Sequence, residues 1–237
     1  VGFCSAAMGI GGGGILVSAL ILFFNYGIKK AIGVSLATIV PTAFVGIIAH
    51  YVIESSNIKF FIVLFIVAGS IIGAKFGAEL ANKMSVKRLT KLFAFLLFFV
   101  GLKLAGIINV PAETVSNTTA YPLLVILGLI AGSASALFGI GGGVIMVPML
   151  NMFFGLSMHE AVATSLTVIL PTTLAGAIFH KKFNNIDTDA IKFLIPTSLI
   201  GAIFGAIVAN ILPAITLKIV FGIFMILCSI KIFMHKE

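Results

Sequence analysis

Two glycine runs are the residues best placed to do chemistry in this chain of 237 residues. Gly11-Gly12-Gly13 and Gly141-Gly142-Gly143 each follow a Gly-Ile pair and each precede an apolar stretch. A helix that starts at such a run leaves its first N–H groups without intrahelical acceptors, and the positive end of its dipole faces outward. Glycine lets an anion approach that backbone closely. A tight turn or close helix packing would use the same residues, so the second copy at an equivalent position carries the functional reading.

Each run is followed by a hydroxyl-bearing apolar stretch with a proline: Ser35, Thr38, Pro41 and Thr42 in one, Thr164, Ser165, Pro171 and Thr172 in the other. Proline inside a helix removes a backbone hydrogen bond and kinks it. The hydroxyls can donate to an oxyanion, or turn back onto their own helix carbonyls. His50 and His180 end these stretches as candidate proton-coupling groups, although a hydrogen-bonded interfacial histidine is the commoner use. Lys75 and Glu79, four apart in another apolar stretch, fit a snorkelling, paired couple. No catalytic set, metal-ligand spacing or cofactor motif is expected. Cys4 and Cys228 lie in apolar segments and serve as packing residues.

The elements that position these residues must lie in a bilayer. The chain is 60% apolar and 9% charged, with a mean hydropathy of +1.25, whereas soluble domains carry about 25% charged residues. Repeated apolar stretches of about 20 residues indicate an all-α polytopic membrane protein. That excludes a secreted disulfide scaffold, a cytosolic enzyme and a nucleic-acid binder. The net charge of +8 fits basic cytoplasmic loops.

An internal repeat organises the chain. Residues 9–50 align without a gap onto 139–180 at an offset of 130, with 19 of 42 positions identical. The match resumes at an offset of 128, where 70–93 meets 198–221. The expected domains are a first repeat over 1–108, a linker over 109–120 and a second repeat over 121–237. Each repeat has about five helical elements, near 1–10, 14–27, 30–52, 58–82 and 88–108, then 121–139, 144–157, 160–180, 189–211 and 214–234. By the repeat, the sequence starts within its first helix. The second element of each half is too short for an ordinary crossing, so the helices at the Gly-rich motifs are broken or re-entrant.

Charge counting orients the halves. If they are inverted, eleven Lys and Arg residues share one face (Lys29, Lys30, Lys83, Lys87, Arg88, Lys91, Lys181, Lys182, Lys192, Lys231, Lys236) and Lys59, Lys103 and Lys218 take the other. Parallel halves split the same residues evenly. The positive-inside rule selects inverted topology, with the Lys83–Lys91 loop and the C-terminus cytoplasmic.

The doubled Gly-x-Gly-Gly-Gly, followed by Thr-Ser-Leu and a helix proline, resembles the sulfite exporter TauE/SafE family. The second copy is the fuller match, from Gly139 to Leu150 and then Ala163-Thr164-Ser165-Leu166; the first departs with Ser18 for Pro148 and Val34 for Thr164. The resemblance implies a secondary transporter of sulfite, sulfonates or related small organic anions in the plasma membrane. The expected partners are that anion and the lipid bilayer, with a homo-oligomer possible and no nucleic acid. From the residues alone two alternatives stay open, an anion channel and an intramembrane Ser/His enzyme. The second suffers from the 15 residues separating each Ser from its His, about 22 Å along a helix.

Overall fold

The structure is a computed structural model that describes residues 2–3, 11–54, 60–107, 120–156, 158–211 and 214–234. Beyond the helical pair 2–3, the described residues form helices α1 (Gly13–Phe24), α2 (Ile28–Glu54), α3 (Phe60–Lys83), α4 (Val86–Leu104), α5 (Ala120–Phe138), α6 (Gly143–Phe153), α7 (Met158–Lys182), α8 (Thr188–Ile211) and α9 (Ala214–Met234). No strand occurs among the described residues. Among the described residues, four stretches are long and apolar enough to cross a membrane: Ile28–Ile48, Phe60–Lys83, Tyr121–Phe138 and Glu160–Lys182. The protein is a multi-pass helical membrane protein. The expected first element, 1–10, lies outside the described residues apart from 2–3, and so does most of the 109–120 linker.

One boundary needs correction. The Lys83–Lys91 segment is not a loop: α4 begins at Val86, and the Ser85 carbonyl accepts from the amides of Arg88 and Leu89 at 3.1 and 3.0 Å. Apolar Leu89 and Phe93 are fully buried one turn apart and draw the helix back to this point. Lys87, Arg88 and Lys91 therefore stand exposed on the first turns of α4.

Two core clusters meet along α2. One packs Leu16, Val17 and Leu20 of α1 with Ile28 and Ile32 of α2, Leu89 and Phe93 of α4 and Met225 of α9. The other joins Ile39 and Ala43 of α2 with Leu124 of α5, Met146 and Leu150 of α6 and Leu166 and Ile169 of α7.

Repeat-equivalent residues exchange partners across this core. A Cβ at Gly132 would collide with the Ser70 carbonyl, and one at Gly2 with the Ser198 carbonyl. A Cβ at Gly73 would lie 2.9 Å from the Ser133 nitrogen, and one at Gly201 3.2 Å from the Phe3 nitrogen. Each pair maps onto the other through the sequence offsets of 130 and 128. Helix α3 thus packs on α5 as α8 packs on residues 2–3. Small residues permit this backbone-to-backbone approach, which replaces the missing hydrophobic drive between helices in lipid.

Candidate functional site

Both glycine runs end in helices too short to span. Helix α1 has 12 residues and α6 has 11, about 18 and 16 Å of rise against a hydrocarbon core of about 30 Å. Each is preceded by a left-handed glycine, Gly12 at φ 61° and Gly142 at φ 82°, with no side-chain cap. A residue with a Cβ pays about 1–2 kcal/mol for that conformation. The turn needs glycine there.

The two runs meet. A Cβ at Gly11 would lie 3.5 Å from Gly141 Cα and 3.7 Å from Ile169 Cδ1, while one at Gly141 would lie 3.6 Å from both Gly11 Cα and Ile39 Cδ1. Ile39 and Ile169 are repeat equivalents, and they sit near the middle of α2 and α7, two residues before Pro41 and Pro171. A Cβ at Gly13 would strike the Gly139 carbonyl and approach Ile140 Cα to 2.9 Å. In this conformation the glycines serve first to let the opposite loop come close.

The helix starts remain donors. The Gly12 carbonyl accepts from Leu16, and the Gly142 carbonyl from Ile145 and Met146. The amides of Gly13, Gly14 and Ile15, and those of Gly143 and Val144, have no backbone acceptor among the described residues. Gly11 to Gly14 and Gly141 to Gly143 are buried. Buried helix N-termini of this kind can bind an anion through their N–H groups and positive dipole ends.

Ser35 reaches the backbone of both glycine-rich segments. Fully buried on α2, it donates to the Gly139 carbonyl at 2.7 Å and lies 3.4 Å from the Gly13 carbonyl. The other hydroxyls divide. Thr38 donates to Val34 O at 2.8 Å and Thr42 to Ile39 O at 2.9 Å, both back onto their own helix. Thr172 donates to Val168 O at 2.7 Å and shares a 2.6 Å hydroxyl pair with Ser70 of α3, joining two helices. Ser165 is buried and engaged. Thr164 is buried with its Oγ1 unpartnered, as is Ser135 Oγ.

His180 does not join the glycines. Its Nε2 lies 2.8 Å from Ala136 O and its Nδ1 3.4 Å from Asn185 Nδ2. An amide NH2 only donates, so Nδ1 accepts and Nε2–H donates to the carbonyl. This is a satisfied buried histidine, eleven residues from Ile169 and about 16 Å along α7. The His50 side chain lies outside the described residues. Among the described residues no cluster of three His, Cys, Asp or Glu could hold a metal ion.

Sequence reasoning missed three features of the structure. Ile39 and Ile169 were detectable as identical repeat positions, but apolar residues suggested no role. Ser70 stood out only as the position where the repeat match resumes. The third is a tie between loops: Tyr26 donates to Asp187 Oδ2 at 2.9 Å, while Asp187 Oδ1 accepts from the amides of Asp189 and Ala190 at the start of α8. The Ala190 amide first, then the Tyr26 hydroxyl, hold the Asp187 carboxyl below its ordinary range, and Asp187 pushes the Tyr26 hydroxyl up. Nearby, Lys29 Nζ donates to the Asn82 carbonyl at 2.6 Å.

Two short apolar helices beside proline-bearing ones, with exposed apolar flanks, fit a multi-pass membrane protein. The sulfite exporter TauE/SafE family profile matches residues 1–104 and 124–237, and the chain belongs to that family. It is similar to the probable membrane transporter protein YdhB of Bacillus subtilis, at 30% identity over 222 residues, 92% of this chain and 90% of the relative. It is also similar to the probable membrane transporter protein MJ0441 of Methanocaldococcus jannaschii, at 30% identity over 78% of this chain and 70% of the relative. No solved structure matches the chain.

Proposed function

We propose that this protein is a secondary transporter of sulfite, organosulfonates or related small organic anions in the plasma membrane, and not an enzyme. The anion binds near the bilayer midplane between the two glycine-run helix starts, with Ser35 and its counterpart Ser165 beside them. The observation that carries this reading is the meeting of two uncapped, buried helix N-termini at the middle of the proline-bearing helices. Each end amounts to roughly half an elementary charge, so together they complement a monoanion. The remaining residues of the proposed set, Gly11 to Gly13, Gly141 to Gly143, Thr38, Thr42, Thr164 and Thr172 with Pro41 and Pro171, shape the two loops and the kinked helices behind them.

The halves, 1–108 and 121–237, are inverted in this proposal. The exchange of contacts between equivalent residues supports a two-fold relation. Tyr26 to Asp187 and Lys29 to Asn82 support a shared face for loops of both halves. That face carries the excess of Lys and Arg and is cytoplasmic by the positive-inside rule.

The deciding experiment is flux in proteoliposomes. Saturable sulfite uptake that accelerates with internal sulfite or a sulfonate, through counter-exchange, is the expected result. Sulfite flux that neither saturates nor responds to internal anion refutes a carrier, and no flux of any of these anions refutes the substrate class.

A further inference from the structure

Helix α3 carries a charged stripe that lipid cannot satisfy. One side of the helix is spoken for: a Cβ at Gly69, Gly73 or Gly77 would strike the carbonyls of Val125, Leu129 or Ser133 of α5. The other side is open, with Ile72, Phe76 and Leu80 about half exposed, Lys75 exposed and Glu79 partly so. Exposed apolar residues are ordinary against lipid. A lysine among them is not.

Lys75 sits too deep for its ammonium to reach water easily. It lies eight residues from Lys83, about 12 Å along the axis, in a helix about as long as the membrane is thick. Helical Cα–Cβ bonds tilt toward the N-terminus, which for Lys75 is away from the nearer boundary. Its four-carbon stem must snorkel against that tilt.

Its own chain offers little relief. The seven carboxylates of the sequence are Glu54, Glu79, Glu113, Glu160, Asp187, Asp189 and Glu237, and among the described residues only Glu79 shares the middle of a helix with Lys75. Neither residue makes an ion pair or hydrogen bond among the described residues. Closing that pair within one helix uses the weaker order, with Lys preceding Glu by four. The repeat supplies an internal comparison: Ile203 and Ile207 occupy the equivalent positions of α8, and Ile203 is exposed as lipid contact requires. The charges belong to one half only.

We infer that the Ile72, Lys75, Phe76 and Glu79 face of α3 is a homodimer interface, in which Lys75 of each copy pairs with Glu79 of the other. A two-fold axis along the membrane normal brings two such stripes together with both copies in the same orientation. The four charges then alternate and sum to zero, while Ile72 and Phe76 pack around them and exclude lipid. This surface is independent of the proposed anion site.

Charge reversal tests the pairing in the full chain, reconstituted in nanodiscs or mild detergent. Lys75→Glu leaves four negative charges at the interface and Glu79→Lys four positive ones, so each variant alone should raise the dimer dissociation constant about tenfold or more. Co-expressing the two with different tags should restore a dimer containing one copy of each. Single variants that dimerise as tightly as the natural chain overturn the inference, as does a natural chain that is monomeric in a bilayer. Where a reversal variant fails to fold, Phe76→Cys in a Cys4→Ser, Cys228→Ser background decides the matter. An oxidised cross-link between copies in native membranes supports the interface, and its absence overturns it.

Discussion

Gly13→Ala and Gly14→Ala alter neighbouring residues of one helix and should behave oppositely. At Gly13 the new Cβ strikes the Gly139 carbonyl and lies 2.9 Å from Ile140 Cα, where ordinary contact begins at 3.4 Å. The loops must separate by at least about 0.5 Å at Ile140 and by more at Gly139 (3.4 − 2.9). Ile39 Cδ1, at 2.7 Å, can turn aside, but the Gly139 and Ile140 obstacles are backbone atoms and cannot rotate away, so the cost sits near the upper end of overpacking, about 3 kcal/mol. Alanine returns up to about 1 kcal/mol of helix propensity, leaving a net loss of about 2 kcal/mol. At Gly14 the new Cβ meets Leu97 Cδ2 and Met225 Cε, both at 3.2 Å. These are ends of flexible side chains that can yield, and the propensity gain remains. For a chain of this size a 2 kcal/mol loss lowers the melting temperature by about 4–8 °C. Thermal unfolding of the purified protein should show that drop for Gly13→Ala and none for Gly14→Ala. The separated loops also pull Gly139 from Ser35, so sulfite binding should weaken in the first variant only. Equal melting of the two variants would refute the close backbone approach on which the site depends.

Ser35→Ala removes a hydroxyl that reaches the backbone of both glycine-rich segments and should cost about 1–2 kcal/mol of stability, read as a lower melting temperature together with weaker sulfite binding. Single cysteines at Asn82 and Lys181 should react with an impermeant maleimide from the same side of the membrane; labelling from opposite sides would remove the inverted arrangement. The Tyr26–Asp187 tie gives a pH signature. Because the Asp187 pKa is lowered on folding, its contribution is present above the unfolded carboxylate pKa and lost as pH falls through the folded value, and Tyr26→Phe should flatten that acid limb of stability. The only Arg in the chain, Arg88, stands on the first turn of α4, so no bidentate guanidinium fork is available at depth. Competition at fixed ionic strength should therefore rank a monoanionic sulfonate above sulfate, and sulfate winning would place a full positive charge at the site.

Much of this architecture was legible because hydropathy and the repeat act over many residues. The helices from α5 to α9 begin and end within a few residues of the sequence expectation, since a break in apolar periodicity is visible locally. Ser85 was harder: it starts α4 because Leu89 and Phe93 bury against other helices, and that burial is a tertiary fact. The glycine runs were identifiable as helix starts, but not their meeting, because facing across the core depends on how the halves dock. The hydroxyls show the same limit. Thr38 and Thr42 turn to their own helix while Ser35 reaches another, although all three follow the same apolar pattern.

The tie between Tyr26 and Asp187 has a consequence for turnover. Tyr26 and its repeat equivalent Leu156 occupy the same backbone turn, with Tyr26 N donating to Leu20 O and Leu156 N to Leu150 O. Leucine has no hydroxyl with which to tie a loop. If the two halves trade roles during transport, the ends that they close are held by unlike contacts, so the inward-facing and outward-facing forms differ in free energy. Half-saturation measured from one side of the membrane is then expected to differ from that measured from the other.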